Sequence, residues 1–290
     1  MSNWRDLKSS SKMDSMRERD HSGHPAVESS NSGLVTELLQ ALPRARSEDR
    51  LVEVSRGPLF DAVLCEGVGR QGCGLASAMR RPCDTPGGLS EVRKAPHELP
   101  GTAGELAQSL ASEDPSEACL GMAAHNALME PPSRYLSELN AVPLIQRWGE
   151  GKRVLMVGGF PFAQLLRGSS SKVWVFELNP MESLGEMSAS KVMDYLPEAQ
   201  LVVLTGTTLI NHTFDALWEA IPPTAKTLMV GPSSPLSEVL LDWGLDAVAG
   251  AYVGPDPEDM AAVMEGVRAG KGYRQMRRQV RRCILSREGL

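Results

Sequence analysis

The chain has 290 residues, enough for two domains of ordinary size, and carries a net charge of −6 with 42% hydrophobic and 23% charged residues. That balance fits a globular protein, and the acidic net charge argues against bulk nucleic-acid binding. No apolar run reaches the roughly 18 residues that span a bilayer, and the polar N-terminus lacks the apolar centre of a signal peptide. A cytoplasmic protein without membrane or nucleic-acid partners is expected.

Residues 1–32 contain nine serines and mixed charges with no apolar period, which reads as a disordered tail. His21 and His24 lie in it, more simply solvated than metal-bound. A first folded unit is expected over residues 33–131. "GLVTELLQAL" has helical spacing through Leu34, Leu38 and Leu42. "RLVEVSRGPLFDAVLCEG" reads as two strands around a turn at Arg56-Gly57-Pro58. "GCGLASAM" either adds a third strand or opens a helix. A helix around Glu105 to Ala111 follows, with Leu106 and Leu110 one turn apart. The next helix opens at "DPSE": Asp114 suits the N-cap, Pro115 the first helical position, and Glu117 a capping-box pattern. Its small residues, Ala118 to Ala127, allow close packing. Strands first and helices after give an α+β unit. Residues 132–151, with Pro132 and Pro143, read as a linker holding a short helix.

The style changes over residues 152–284. "RVLMVGG", "KVWVFELN", "LVVLTG", "TLMVGP" and "DAVAGAYV" are short apolar runs separated by helix-like stretches. Strands this apolar are buried on both faces, as a parallel sheet requires. The fold class is therefore α/β: a Rossmann-like parallel sheet domain preceded by the small α+β domain. Residues 285–290 read as a tail. The segment from Lys271 holds seven Lys and Arg against one Glu and reads as a solvated amphipathic stretch, or as a grip on a phosphate or acidic partner.

Ligands of such sheets bind beyond the carboxyl ends of the strands. Those ends carry Gly158-Gly159, Glu177, Thr205-Gly206-Thr207-Thr208 and Gly231-Pro232-Ser233-Ser234. Four polar or glycine-rich ends on one edge point to a ligand site, although any one Ser or Thr by itself is more often only a cap. Helix N-termini there, with Ser234 expected to cap a helix at Pro235 and Asn211 or Thr213 to cap the one before Phe214, favour an anion. Glu177 follows Gly158 by 19 positions, where a nucleotide-binding sheet places the acid that holds a ribose hydroxyl. The G-x-G-x-x-G fingerprint is missing, since "GGFPFA" stands there. His212 lies on the polar edge, whereas His125 sits in the Ala-rich helix and His97 before it. There is no HExxH, GxSxG or Walker A pattern. The five cysteines, Cys65, Cys73, Cys83, Cys119 and Cys283, are odd in number and form no CxxC, so free buried thiols are expected.

"LPEAQLVVLTGTTLIN", "VGPSSPLS" and "GLDAVAGAYV", preceded by "VWVFELNP", resemble a bacterial and archaeal family described as "putative heavy-metal chelation". "GLASAM" and "GELAQSLASEDPSEACLGMAAHNAL" resemble the small domain that precedes it. The resemblance covers roughly residues 33–130 and 152–284 and implies an enolase N-terminal-like domain packed on a Rossmann-like one, with a cleft between. It implies site residues Glu177, Thr205, Gly206, Thr207, Thr208, Asn211, Ser233 and Ser234, with Asn126 facing the cleft from the first domain. The chain departs from the family pattern at Gly159, Gln200 and His212. The expected function is binding of a small anionic or metal-chelating metabolite at these residues and Gly158, as in a metal-homeostasis role. Glu177 and His212 would meet a divalent or trivalent metal ion. The alternative is a nucleotide- or S-adenosylmethionine-dependent transferase in the same cleft. Whether a reaction is catalysed and whether the chain forms a homo-oligomer are left open.

Overall fold

The computed structural model describes residues 33–79, 100–133 and 136–287. The serine-rich segment with His21 and His24, together with Cys83 and His97, lies outside the described residues.

The small unit begins with α1 (Leu34–Gln40), which buries Leu34 and Leu38 one turn apart, and α2 (Arg44–Ser47). Strands β1 (Arg50–Arg56), β2 (Phe60–Gly67) and β3 (Arg70–Ser77) form an antiparallel sheet in that order, so "GLASAM" resolves as strand. Helix α3 (Ala103–Ala107) carries a full capping box between Thr102 and Glu105. Helix α4 (Pro115–Leu128) starts at Asp114, whose carboxylate accepts the Ser116 N–H at 2.8 Å. Glu117 does not complete a box there; its carboxylate accepts the Ser112 hydroxyl at 2.8 Å. The small residues of α4 do what their size permits. A Cβ at Gly74 of β3 would sit 2.2 Å from the Ala123 carbonyl, and one at Gly121 would sit 2.0 Å from the Leu110 nitrogen. Backbones touch at both points, helix against sheet at Gly74 and helix against the short helical turn at Leu110.

The second unit runs β4 (Leu136–Ser137), α5 (Ala141–Gly149), β5 (Arg153–Val157), α6 (Ala163–Leu166), β6 (Lys172–Glu177), β7 (Glu186–Ser188), α7 (Val192–Tyr195), β8 (Leu201–Thr205), α8 (Thr207–Ile210), α9 (Phe214–Ala220), β9 (Lys226–Val230), α10 (Glu238–Asp242), β10 (Ala247–Val253), α11 (Pro257–Arg268) and β11 (Val280–Leu285). Its eight strands lie in the order β4-β11-β10-β9-β8-β5-β6-β7. Strands β5 to β10 are parallel, and β11 and β4 are antiparallel additions. From β5 the chain winds outward through β6 and β7, then crosses to β8 on the other side. The order therefore reverses between β5 and β8.

Alternate residues of each central strand face opposite layers, as a pleated sheet requires. Val154, Met156, Val173, Val175, Leu201 and Val203 meet α5 and α6. Leu155, Val157, Trp174, Phe176, Val202 and Leu204 join α7 to α10, and that cluster is continuous with Leu34, Leu106 and Leu128 of the small unit. One core thus runs through both units. On the other face of the small sheet, Ala62, Cys73 and Leu75 pack on Met260, Val263 and Met264 of α11.

Three local expectations are corrected. The helix after β9 is capped by Ser237, not Ser234: the Ser237 hydroxyl accepts the Val239 N–H at 3.3 Å, and α10 starts three residues beyond Pro235. It ends at Gly244, where φ is 103°. Helix α5, in the stretch read as linker, buries Leu144, Ile145 and Trp148 on the sheet. The basic C-terminal stretch folds in part: Val280, Cys283, Ile284 and Leu285 are buried in β11, leaving Arg281 and Arg282 exposed between them. Strand β7, three residues long, had no apolar run to announce it. Among the described cysteines, Cys65, Cys73, Cys119 and Cys283 are free and buried. No described helix is long and apolar enough to cross a membrane.

Candidate functional site

A sheet whose strand order reverses leaves a crevice where the outgoing connections of the two neighbouring strands part company. Here that crevice lies between β5 and β8, and it opens into a cavity of about 220 Å³. Its walls come from the ends of β5, β6 and β8, and from Ser77, Ala78 and Met79 at the end of β3 in the small unit.

The β5 end is glycine for a steric reason. Gly158 has φ of 117°, in the left-handed region, and a Cβ there would stand 2.9 Å from Thr205 Cβ. Gly159 follows, and its N–H donates to Glu177 Oε2 at 2.5 Å. The other oxygen, Oε1, accepts the Leu178 N–H at 2.7 Å. Two backbone donors thus fix the Glu177 carboxylate at the cavity wall. A Cβ at Gly159 would come within 3.1 Å of Glu177 Oε2 and 3.3 Å of Glu186 Oε1, so two acidic side chains take the space that a larger residue would need.

The β8 end builds the opposite wall. The Thr207 hydroxyl donates to Thr205 Oγ1 at 3.1 Å. Asn211 Oδ1 accepts both the N–H of Thr213 at 3.3 Å and its hydroxyl at 2.7 Å, which holds the start of α9. Two donors from one residue fix the amide's orientation, and its nitrogen is turned away from Thr213.

Of the residues expected at the site, Gly158, Glu177, Thr205, Thr207 and Asn211 line the cavity. The others hold its frame. Gly206 packs against the 233–234 peptide, where a Cβ would lie 2.4 Å from the Ser233 carbonyl carbon. Thr208 is buried, and its hydroxyl donates to the Thr205 carbonyl at 2.8 Å. Asn126 Nδ2 donates to the Leu75 carbonyl at 2.9 Å and the Pro232 carbonyl at 3.4 Å, and Ser233 Oγ accepts the Ser77 N–H at 2.8 Å. Asn126 and Ser233 thereby stitch β3 to the loop after β9. Ser234 is buried beside them, with no hydrogen-bond partner for its hydroxyl. The end of β9 is therefore used for packing between the units, not for lining the cavity.

His212 is also elsewhere. It has φ of 55°, and its Nε2 lies 2.9 Å from the Ser112 carbonyl, so Nε2 carries the proton and ties α8 to the small unit. It shares no cluster with Glu177: among the described residues, no three His, Cys, Asp or Glu side chains converge. The wall from β3 is what residue-by-residue reading missed. The run Ser77-Ala78-Met79 has no charge or motif, and only the docking of the small unit brings it to the crevice.

Replacing Ser233 with alanine leaves the half-buried Ser77 N–H without its acceptor. A loss of about 1–2 kcal/mol in urea unfolding is expected, with ligand affinity little changed. A large affinity loss at unchanged stability would instead put Ser233 on the ligand.

A family model described as "putative heavy-metal chelation" (DUF364) matches residues 140–286. The chain belongs to this family. Two solved DUF364 proteins of unknown function share its fold. One, from Desulfitobacterium hafniense, superposes with a TM-score of 0.70 at 22% identity, covering 88% of this chain and 98% of its own. The other, from Pyrococcus horikoshii, has a TM-score of 0.69 at 20% identity, covering 87% of this chain and 99% of its own. An uncharacterised protein of Methanocaldococcus jannaschii is 24% identical over 220 residues, which is 74% of this chain and 83% of that protein. The DUF364 match begins at residue 140, so it takes in α5, consistent with the packing of that helix on the sheet.

Proposed function

We propose that the chain binds a small metal-chelating metabolite in the cavity at the β5/β8 crevice, as part of metal handling. Support comes from convergence: Glu177, Thr205, Thr207 and Asn211, from the ends of β6 and β8, meet at one cavity that the small unit closes with β3. Hydroxyls and an amide would hold the ligand's oxygens, and Glu177 would meet a hydroxyl or a cation.

The family description implies a heavy metal, and the described donors do not fit one held by the protein alone. Soft metals are taken by thiolates. Burial pushes the thiols of Cys65 and Cys283 up to about 11 and that of Cys73 up to about 12, which keeps them protonated at neutral pH. None of these three is in the described lining, whose side-chain donors are oxygen and amide groups with one thioether, Met79. The fourth described thiol, Cys119, lies behind that wall and bonds to the Ser77 carbonyl and the Met79 N–H, each at 3.1 Å. A ligand that brings its own coordinating atoms fits this donor set better than a bare ion does.

The second reading is a nucleotide- or S-adenosylmethionine-dependent transferase, favoured by the place of Glu177 at the end of the strand after Gly158. Size weighs against it. A cavity of about 220 Å³ is below the roughly 300–1,000 Å³ of sites for drug-sized ligands.

The test is thermal unfolding of metal-stripped protein with divalent and trivalent metals, simple chelates, nucleotides and S-adenosylmethionine. A ligand at a hundred times its Kd stabilises by about 2.7 kcal/mol, a rise of roughly 5–10 °C for a chain of this size. The expected result is a shift with a chelate that is lost in Glu177→Gln. A shift with S-adenosylmethionine or a nucleotide alone would replace this reading with the transferase.

A further inference from the structure

The hydrogen bonds already made around the cavity dictate what a ligand must bring. Thr205 Oγ1 accepts from the Thr207 hydroxyl at 3.1 Å and the Thr207 N–H at 3.4 Å, so its own hydrogen is left to donate outward. Asn211 Oδ1 is taken by Thr213, so its NH2 group is the end left for a ligand. Both are donors, and their complement is an acceptor such as a carboxylate. Glu177, across the cavity, is an acceptor only, and it is the one charged residue among the described residues of the lining. A free anion would be repelled there, whereas an ammonium group would be held by a charge-assisted hydrogen bond. Apart from Ser77, the other described side chains of the wall are apolar, with Met79, Phe160 and Phe176 the bulkiest near the polar groups.

We infer that the cavity takes an α-amino-carboxylate with a small apolar side chain. Its carboxylate lies against Thr205 and Asn211, its ammonium against Glu177, and its side chain against Phe160 and Met79. The cavity of about 220 Å³ suits a molecule of that size. The inference rests on the reading that this cavity is the ligand site, and it names the ligand's class. The same amine and carboxylate close a chelate ring on a metal ion once the amine is deprotonated, which joins this class to the chelation reading.

The experiment is calorimetric titration of the full chain with L-leucine, 4-methylpentanoate (which lacks the amine), L-leucinamide (which lacks the carboxylate) and citrate. A hydrogen bond to a charged group is worth about 10- to 100-fold in affinity, so L-leucine should bind at least about tenfold tighter than either analogue, and citrate weakest. In Glu177→Gln the preference over 4-methylpentanoate should fall to within about threefold. In Asn211→Asp, which keeps the acceptor for Thr213, the preference over L-leucinamide should fall likewise. Unchanged thermal unfolding of each variant shows that it has folded. Binding of 4-methylpentanoate or citrate as tightly as L-leucine overturns the inference. So does no binding of L-leucine when a metal chelate shifts the unfolding temperature, and that outcome leaves the chelation reading standing. No response to any probe in either experiment overturns both.

Discussion

Replacing Gly206 with alanine should cost the fold about 3 kcal/mol and with it the ligand site. The Cβ would lie 2.4 Å from the Ser233 carbonyl carbon and 2.5 Å from the Ser234 nitrogen. Both are backbone atoms, so no side chain can swing away. The φ of Gly206 is −60°, which alanine adopts freely, so the whole cost is steric. Overpacking of this kind costs about 1–3 kcal/mol, and backbone against backbone belongs at the upper end. The loop after β9 must part from the turn that carries Thr205 and Thr207, and displacement of those two residues would take away the cavity wall they form. Urea unfolding measures the first effect and ligand titration the second. Gly168→Ala is the control, because a Cβ there meets nothing within 4 Å. An unchanged midpoint for Gly206→Ala would mean that the two loops separate freely, and that the interlock between the units is not what holds the crevice.

Stability should also fall by about 3 kcal/mol between pH 6.5 and pH 4 on account of one residue, His125. It is fully buried in α4; its Nε2 donates to the Leu38 carbonyl at 3.3 Å, and its Nδ1 has no partner. Burial lowers its pKa from 6.5 to about 4, because the charged ring would lose its water, and the Leu38 carbonyl and the neighbouring Asn126 side chain offset only part of that loss. The unfolded chain takes up the proton near pH 6.5, while the folded chain resists until about pH 4. Stability is therefore complete above pH 6.5 and declines as the pH drops through that window, by about 1.4 kcal/mol for each unit of difference. Carboxylates add their own acid dependence, so the measurement is the difference between the parent and His125→Gln, whose amide can still donate to Leu38. The variant should show the shallower slope in urea unfolding from pH 7 to pH 4. Parallel slopes would mean that His125 charges in the folded state.

Much of the fold is written locally. The strands β5, β6, β8, β9 and β10 are near-continuous apolar runs, because both of their faces are covered, and such runs stand out in any sequence. The cap at Asp114 depends on neighbouring residues alone and is legible for the same reason. The edge pieces are not. Strand β7 has half-buried residues only, and β11 sets two adjacent exposed arginines among its buried residues, so neither carries a clear signal apart from the sheet it joins. The polar strand ends were equally visible, yet a hydroxyl on a turn looks the same whether it meets a ligand or a backbone carbonyl.

By itself, then, the sequence determined the parallel sheet, the α+β unit before it, the edge on which polar ends gather, and Glu177, Thr205, Thr207 and Asn211 as residues of that edge. These follow from periodicity and turn chemistry, which act over a few residues. Only the tertiary structure decided that one core runs through both units, that Ser233, Asn126 and Gly206 hold the frame, that His212 is spent on Ser112, and that Ser77 to Met79 close the cavity. Those assignments depend on which distant backbone groups arrive beside each side chain, and that is set by the reversal of strand order between β5 and β8 and by the docking of the small sheet, not by any local pattern.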